Sequence, residues 1–377
     1  MIRVRSVVVL CKASDDLGLD DEEHRDPGYA MSCWPCCFVL LAIIAALLPT
    51  ASAAPPPTAV TQQLIDAANQ EGKVIFYTSM ELQTAEKVGE AFEAAYPGIT
   101  VQVERNGCER LVQRLAQERS SKLRVADAIE CSDISPLLYW KSQGWLAPFL
   151  PVDVADKWPA DQRDPDGYFA VERFTLSPIA YNTKLVKPED APRSFADLLD
   201  KKWTDKIVKA RPGYSGTIMT VTFELSRYLG WEYLKKLGQQ RVMQVQSGTD
   251  PPKKVAQGER PIGADGDEYF TLQIRDQGGP IEPVYPTEGT PSIPSGAGVI
   301  VDAPHPNAAR LFVSWLFSRD GQQLLVDSTW LRSFDPEVKR RAGMKPLSEI
   351  NVMKSDPAAQ AKVVDEIKNK YDEYFGF

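Results

Sequence analysis

Between residues 74 and 144, short apolar stretches alternate with stretches of helical period, and this alternation constrains the fold more than any other feature. Val74-Ile75-Phe76-Tyr77 reads as a buried strand, and Leu82 to Tyr96 follows as a helix with Ala85, Val88, Phe92 and Ala95 on one face. Strand Ile99 to Val103 then leads to helix Glu109 to Arg119, and strand Val125 to Ile129 to a helix through Leu137, Leu138 and Trp140. Such regularity implies a parallel sheet with helices on both faces, an α/β architecture. In these sheets ligands sit beyond the carboxyl ends of the strands. Those ends are Thr78-Ser79, Asn106-Gly107-Cys108 and Ser132-Asp133, all small and polar, each opening a helix. One such end is simply a helix cap. Three at successive strands read as one rim.

A second feature of the same kind lies further on. Ile207 to Ala210 is a short strand, Pro212-Gly213 breaks it, and Ser215-Gly216-Thr217 opens an apolar-striped helix. A helix start leaves backbone N–H groups free and carries positive dipole charge, so it suits an anion. Around it, residues 191–203 form a capped helix, and Pro261 to Asp265 a strand running into Asp267-Glu268-Tyr269-Phe270. Residues Lys362 to Tyr374 make a closing helix.

Composition narrows the function. The net charge of −8, with no basic block, argues against a nucleic-acid partner. The chain has only two histidines, His24 and His305, and no Gly-x-Ser-x-Gly elbow. A hydrolytic triad or a histidine zinc site is therefore hard to build, and neither an enzyme nor a cofactor is expected. Phe38 to Leu48 is an unbroken apolar run followed by Ala51-Ser52-Ala53, which marks residues 1–53 as a signal-peptide region with export to the periplasm. The n-region lacks positive charge, and Met31 is an alternative start. Export would leave Cys108 and Cys131 as an even pair that invites a disulfide.

The residues now carry a resemblance. Val74 to Ser79, Phe92 to Ile99, Ala126-Asp127-Ala128, Ala180 to Thr183, Ser215-Gly216-Thr217, Ala308 to Phe312 and Gly321-Gln322-Gln323 occur in this order. The order is similar to that of the extracellular solute-binding proteins of ATP-binding-cassette (ABC) importers, in the group of ferric-iron, thiamine and phosphonate or sugar-phosphate binders. The resemblance implies a two-lobed periplasmic-binding-protein fold, each lobe a mainly parallel sheet flanked by helices. On that pattern residues 54–72 are a leader and first helix, 73–178 and 285–377 form lobe 1, and 179–284 form lobe 2. It also implies a monomer that takes a small molecule or ion by lobe closure and hands it to a membrane permease and ATPase. A solute-sensing ectodomain would share the cleft. The family's strand order would put the first strand between Cys108 and Cys131, so strand spacing argues against the bridge while the loops allow it.

Two ligand classes fit. An organic anion, such as a phosphonate, phosphate ester or carboxylate, would lie at Ser215-Gly216-Thr217 with Thr78, Ser79, Gly107 and Ser132. Glu268 or Asp133 would meet an amine or hydroxyl, Tyr269 would stack, and Arg332 would add a cation. The alternative is Fe(III) held by Glu81, Asp133, Glu268 and Tyr269 with a synergistic anion. This chain departs from the iron pattern in having one tyrosine, no histidine and a different acid. The organic anion is favoured.

Overall fold

The computed structural model describes residues 54–376. The signal-peptide reading and the Met31 start lie outside the described residues. Helix α1 (Gln62–Glu71) leads into β1 (Lys73–Thr78), α2 (Leu82–Ala95), β2 (Thr100–Arg105), α3 (Cys108–Ser120), β3 (Ala128–Cys131) and α4 (Ser135–Ser142). The alternation expected over this region is present. After β4 (Leu146–Ala147) and α5 (Val152–Lys157), strand β5 (Ala170–Leu176) closes the first half of the first lobe.

Why β1 reads as a continuous apolar run is visible in its packing. Val74 and Phe76 enter one core with Phe92 and Phe312, while Ile75 and Tyr77 enter another with Leu111 and Trp140. Side chains of a strand alternate between faces, and both faces here are covered.

The chain then crosses at Ser177-Pro178 into a second sheet. It holds β6 (Ile179–Asn182), β7 (Ile207–Ala210), β8 (Met243–Val245), β9 (Ile262–Gly263) and β10 (Ile281–Val284) in the order β10-β6-β9-β7-β8. Its helices are α6 (Gly216–Tyr228), α7 (Trp231–Gly238), α8 (Asp250–Ala256) and α9 (Glu268–Asp276). Residues 285–289 return the chain to β11 (Thr290–Ile300), which pairs antiparallel with β3, β4 and β5. The first sheet thus runs β12-β11-β3-β1-β2, with β12 (Val352–Met353) at its edge. Helices α10 (Pro306–Leu316) and α11 (Arg319–Thr329) cover the first lobe.

Two expectations differ from the structure. Residues 191–203 form only short 3₁₀ turns, at Ala196–Leu199 and Lys201–Trp203. The Asp197 carboxylate takes the amides of Arg193 and Ser194, and Glu288 takes those of Phe195 and Ala196, so side chains replace the helical ladder. The C-terminal segment was expected in the first lobe, but after α12 (Pro357–Gln360) the last helix, α13 (Val364–Phe375), packs on the second. There the Tyr371 hydroxyl donates to the Ala210 carbonyl at 3.0 Å, while Lys368 reaches back to Glu109 of the first lobe at 2.5 Å. The C-terminus is therefore a third connection between the lobes.

Candidate functional site

The carboxyl ends of the first sheet and the start of α6 face each other across a narrow cleft. From the first lobe it is lined by Ser79, Glu81, Arg105, Gly107, Cys108, Ser132 and Arg173. From the second it is lined by Tyr214, Ser215, Gly216, Thr217, Ser247, Gly248, Thr249, Asp267 and Tyr269.

Two helix mouths meet here. Ser215 caps α6, its hydroxyl accepting from the Ile218 amide, and the helix geometry leaves the Gly216 and Thr217 amides without intrahelical acceptors. Opposite, α3 begins at Cys108 with Gly107 as its cap and no side chain bonded to its free amides. The approach is close enough to require glycine on both sides. A Cβ on Gly107 would stand 2.8 Å from the Tyr214 carbonyl, and one on Gly216 would stand 2.9 Å from Asp133 Cβ and 3.1 Å from Cys108 Cβ. The void left between the walls is about 20 Å³, room for roughly one water.

Behind the first-lobe rim sits an acid that organises it. Glu130, fully buried, accepts from Thr78 Oγ1 at 2.6 Å and from the amides of Ser79 and Met80 at 3.0 and 3.1 Å. Its other oxygen takes Arg173 Nη2 at 2.6 Å, and Arg173 Nη1 donates to Ser295. Thr78 is consequently a support beneath the rim, while Ser79 is on it. Arg105 donates to the Met80 carbonyl and to the Tyr214 hydroxyl at 3.3 Å, touching both lobes. Cys108 and Cys131 are bridged, with Cα atoms 5.5 Å apart, so the loop after β2 closes the gap that the intervening strand β1 would leave.

Some sequence-chosen residues stand elsewhere. Asp133 lies just behind Ser132, accepting from the Ser135 amide and from Gln360 Nε2, and burial pushes its carboxyl up to about 7. Glu268 is turned away from the cleft. Its carboxylate makes a two-pronged pair with Arg332, at 2.9 and 2.8 Å, and accepts from the Tyr285 hydroxyl at 2.6 Å. Glu268 and Arg332 therefore satisfy each other, and neither lines the cleft. Of the residues of the iron alternative, Glu81 and Tyr269 line the cleft, whereas Asp133 and Glu268 make the contacts just described. Among the described residues no cluster of three or more His, Cys, Asp or Glu side chains is placed to hold a metal.

The acid that does face the cleft is Asp267. It occupies the N-cap of α9 yet accepts no helix amide through its side chain. Burial lifts its carboxyl to about 6, against the opposing pull of Arg173 and the Thr217 hydroxyl. Tyr269 lies among the same charges. Burial first, then Asp267 and Glu81, raises its phenol well above the usual range, while Arg173 and Arg105 pull the other way.

Sequence reasoning also passed over Arg105, Arg173, Tyr214 and Ser247-Gly248-Thr249. The last had a legible signal, since it follows β8 as a small polar strand end like the three already chosen. A larger hollow of about 480 Å³ lies elsewhere, among Ile134, Leu138, Phe169, Phe174 and Phe334.

This arrangement, two lobes with strand ends and helix mouths facing across a cleft, agrees with the comparison to known proteins. Residues 78–323 match the model of the bacterial extracellular solute-binding proteins. The chain belongs to that family. A Salmonella typhimurium periplasmic protein named for 2-aminoethylphosphonate binding is 27% identical over 243 residues, covering 62% of this chain and 69% of that protein. An uncharacterised Haemophilus influenzae protein is 24% identical over 268 residues, covering 68% and 76%. The fold matches that of the periplasmic binding protein AfuA from Actinobacillus pleuropneumoniae, solved with fructose-6-phosphate (TM-score 0.74, 22% identity, 81% of this chain and 98% of that one). It also matches iron-bound HitA from Pseudomonas aeruginosa (TM-score 0.70, 21% identity, 81% and 99%). This solute-binding protein thus has the two-lobed fold expected from its sequence, in a family of transport components.

Proposed function

We propose that this solute-binding protein captures one small organic anion per monomer in the periplasm and delivers it to the permease and ATPase of an ABC importer. The ligand class is a phosphonate, phosphate ester or carboxylate, and no chemical conversion is part of the role. The observation that carries this reading is the meeting of two free helix mouths, at Cys108 and at Gly216-Thr217, beside Arg105 and Arg173. Backbone amides at a helix start and guanidinium groups both favour an anion, and burial strengthens them. The hydroxyls of Ser79, Ser132, Ser215, Ser247 and Thr249 surround the same space. The name of the Salmonella relative supports the phosphonate end of the class.

A void sized for one water admits such a ligand only when the lobes part. The Ser177-Pro178 and 285–289 crossovers supply a hinge for that motion. Asp133 and Glu268 are engaged in contacts of their own, which favours the organic anion over Fe(III).

The test is isothermal titration of the purified protein with 2-aminoethylphosphonate, fructose 6-phosphate, succinate and ferric citrate. At least one organic anion is expected to bind at micromolar concentration or tighter, and Arg105→Ala to weaken it by roughly tenfold or more. Binding of ferric citrate alone, with a visible charge-transfer colour, contradicts the proposal.

A further inference from the structure

We propose that the cleft selects a zwitterion, with an ammonium group of the ligand held by Asp267 and flanked by Glu81 and Tyr269. The inference rests on the organic-anion reading and names the second half of the ligand.

Buried acids in this protein are met by a cation or, as for Asp133 and Glu224, by backbone or side-chain donors. Glu130 has Arg173 at 2.6 Å, Asp265 has Lys209 at 2.6 Å, and Glu268 has Arg332 at 2.8 Å. Asp267 is buried too, yet none of the described ion pairs includes it. The cation that acts on it most, Arg173, spends its guanidinium on Glu130 and Ser295 and lies 3.4 Å from Glu172. Asp267 also forgoes the amide bonds that an aspartate at a helix N-cap ordinarily accepts. A carboxylate buried with neither a counter-ion nor its cap bonds is costly, and it is retained here on the wall of a ligand cleft.

An anion alone would make this worse. A phosphoryl or carboxyl group between the helix mouths would bring negative charge beside Asp267 and Glu81. A ligand with an ammonium at its other end supplies the missing cation instead. The groups facing Asp267 suit this division. Arg105 from β2 and Arg173 from β5 are the cationic side, with Thr217 at the mouth of α6. Asp265, Glu81 and Tyr269 are the electron-rich side. The Tyr269 ring adds a face on which an ammonium can rest.

One alternative keeps Asp267 but reverses its role: protonated, it would donate a hydrogen bond to the ligand's anionic oxygen. The two roles predict opposite pH behaviour. Ammonium recognition needs the ionised carboxylate, so it strengthens as pH rises through about 6.

Matched ligand pairs test this: 2-aminoethylphosphonate against ethylphosphonate, and phosphoethanolamine against ethyl phosphate, titrated into the purified protein at pH 7.5 and pH 5.0. Because the ammonium also lowers the second pKa of the phosphoryl group, the pH effect is read as the difference between the unmodified protein and Asp267→Asn, which share that phosphoryl titration. The amino compound is expected to bind about ten- to a hundredfold tighter at pH 7.5 in at least one pair. That advantage should shrink several-fold at pH 5.0, and Asp267→Asn should abolish it at both. The amino preference of the unmodified protein at pH 7.5 is read even if the variant folds poorly. Equal or tighter binding of the amine-free members, or an advantage that survives Asp267→Asn, overturns the inference and leaves the organic-anion reading standing. Binding of no member of either pair brings down both.

Discussion

Asp267 and Glu268 are adjacent acids, and the fold treats them in opposite ways. Glu268 points into the first-lobe interface, where Arg332 and Tyr285 satisfy both its oxygens. Asp267 points into the cleft and belongs to none of the described ion pairs, Arg173 and Arg105 acting on it only at longer range. The comparison separates two uses of a buried charge: one acid holds the protein together, and the other is positioned, at a cost to stability, for something outside it. A completed pair is a support, whereas an uncompensated charge on a cleft wall is a candidate for binding.

Removing the carboxylate that supports Arg332 separates the two roles most strongly. Glu268→Gln leaves the buried Arg332 guanidinium without its carboxylate, and unfolding free energy should fall by about 3–5 kcal/mol. Urea denaturation measures this, and the folded fraction should keep its solute affinity within about threefold. A large affinity loss without destabilisation would mean that Glu268, not Asp267, is the binding acid.

The next effect belongs to Asp267 itself. Its carboxyl rises from 3.8 to about 6 on folding, so the folded state holds the proton more tightly than the unfolded chain. Its contribution to stability is complete below pH 3.8 and is lost as pH rises through about 6, amounting to at most about 3 kcal/mol. Comparing unfolding of the ligand-free protein and Asp267→Asn between pH 4 and pH 7.5 isolates this loss, which the variant should lack. An identical pH profile in both proteins would show that Asp267 is already compensated.

A smaller effect is expected where the lobes touch. Gly216→Ala pushes a methyl toward Asp133 and Cys108, and should hold the lobes apart. Solute affinity should drop by about 1–3 kcal/mol, with little change in unfolding of the ligand-free protein. Unchanged affinity would argue that closure does not bring these two walls together.

The parts of this picture that were legible in the sequence are those set by local pattern. The alternation of strand and helix specified the first lobe. The small polar strand ends then pointed to Ser79, Gly107, Ser132 and the Ser215-Gly216-Thr217 mouth, all of which line one cleft. Tyr269 comes from the resemblance instead, at the position of the family's tyrosine pair, and it lines the same cleft. What was not legible depends on partners distant in sequence. Glu268 looked like a ligand because Arg332, 64 residues on, is invisible as its partner until the chain folds. Arg173 lies within a strand, where nothing local distinguishes a cleft arginine from a surface one. Asp133 likewise went to Gln360, supplied by a C-terminal segment that was assigned to the first lobe and in fact connects both.

The central claim is that an anion sits between the two helix mouths, and backbone amide shifts measure that most directly. A nitrogen–proton correlation spectrum of the labelled protein, titrated with the tightest-binding organic anion, should show its largest shifts at Cys108, Glu109, Gly216 and Thr217. Little change is predicted around Phe169 and Phe334. Shifts centred on that second hollow, with the helix-mouth amides unmoved, would contradict the account.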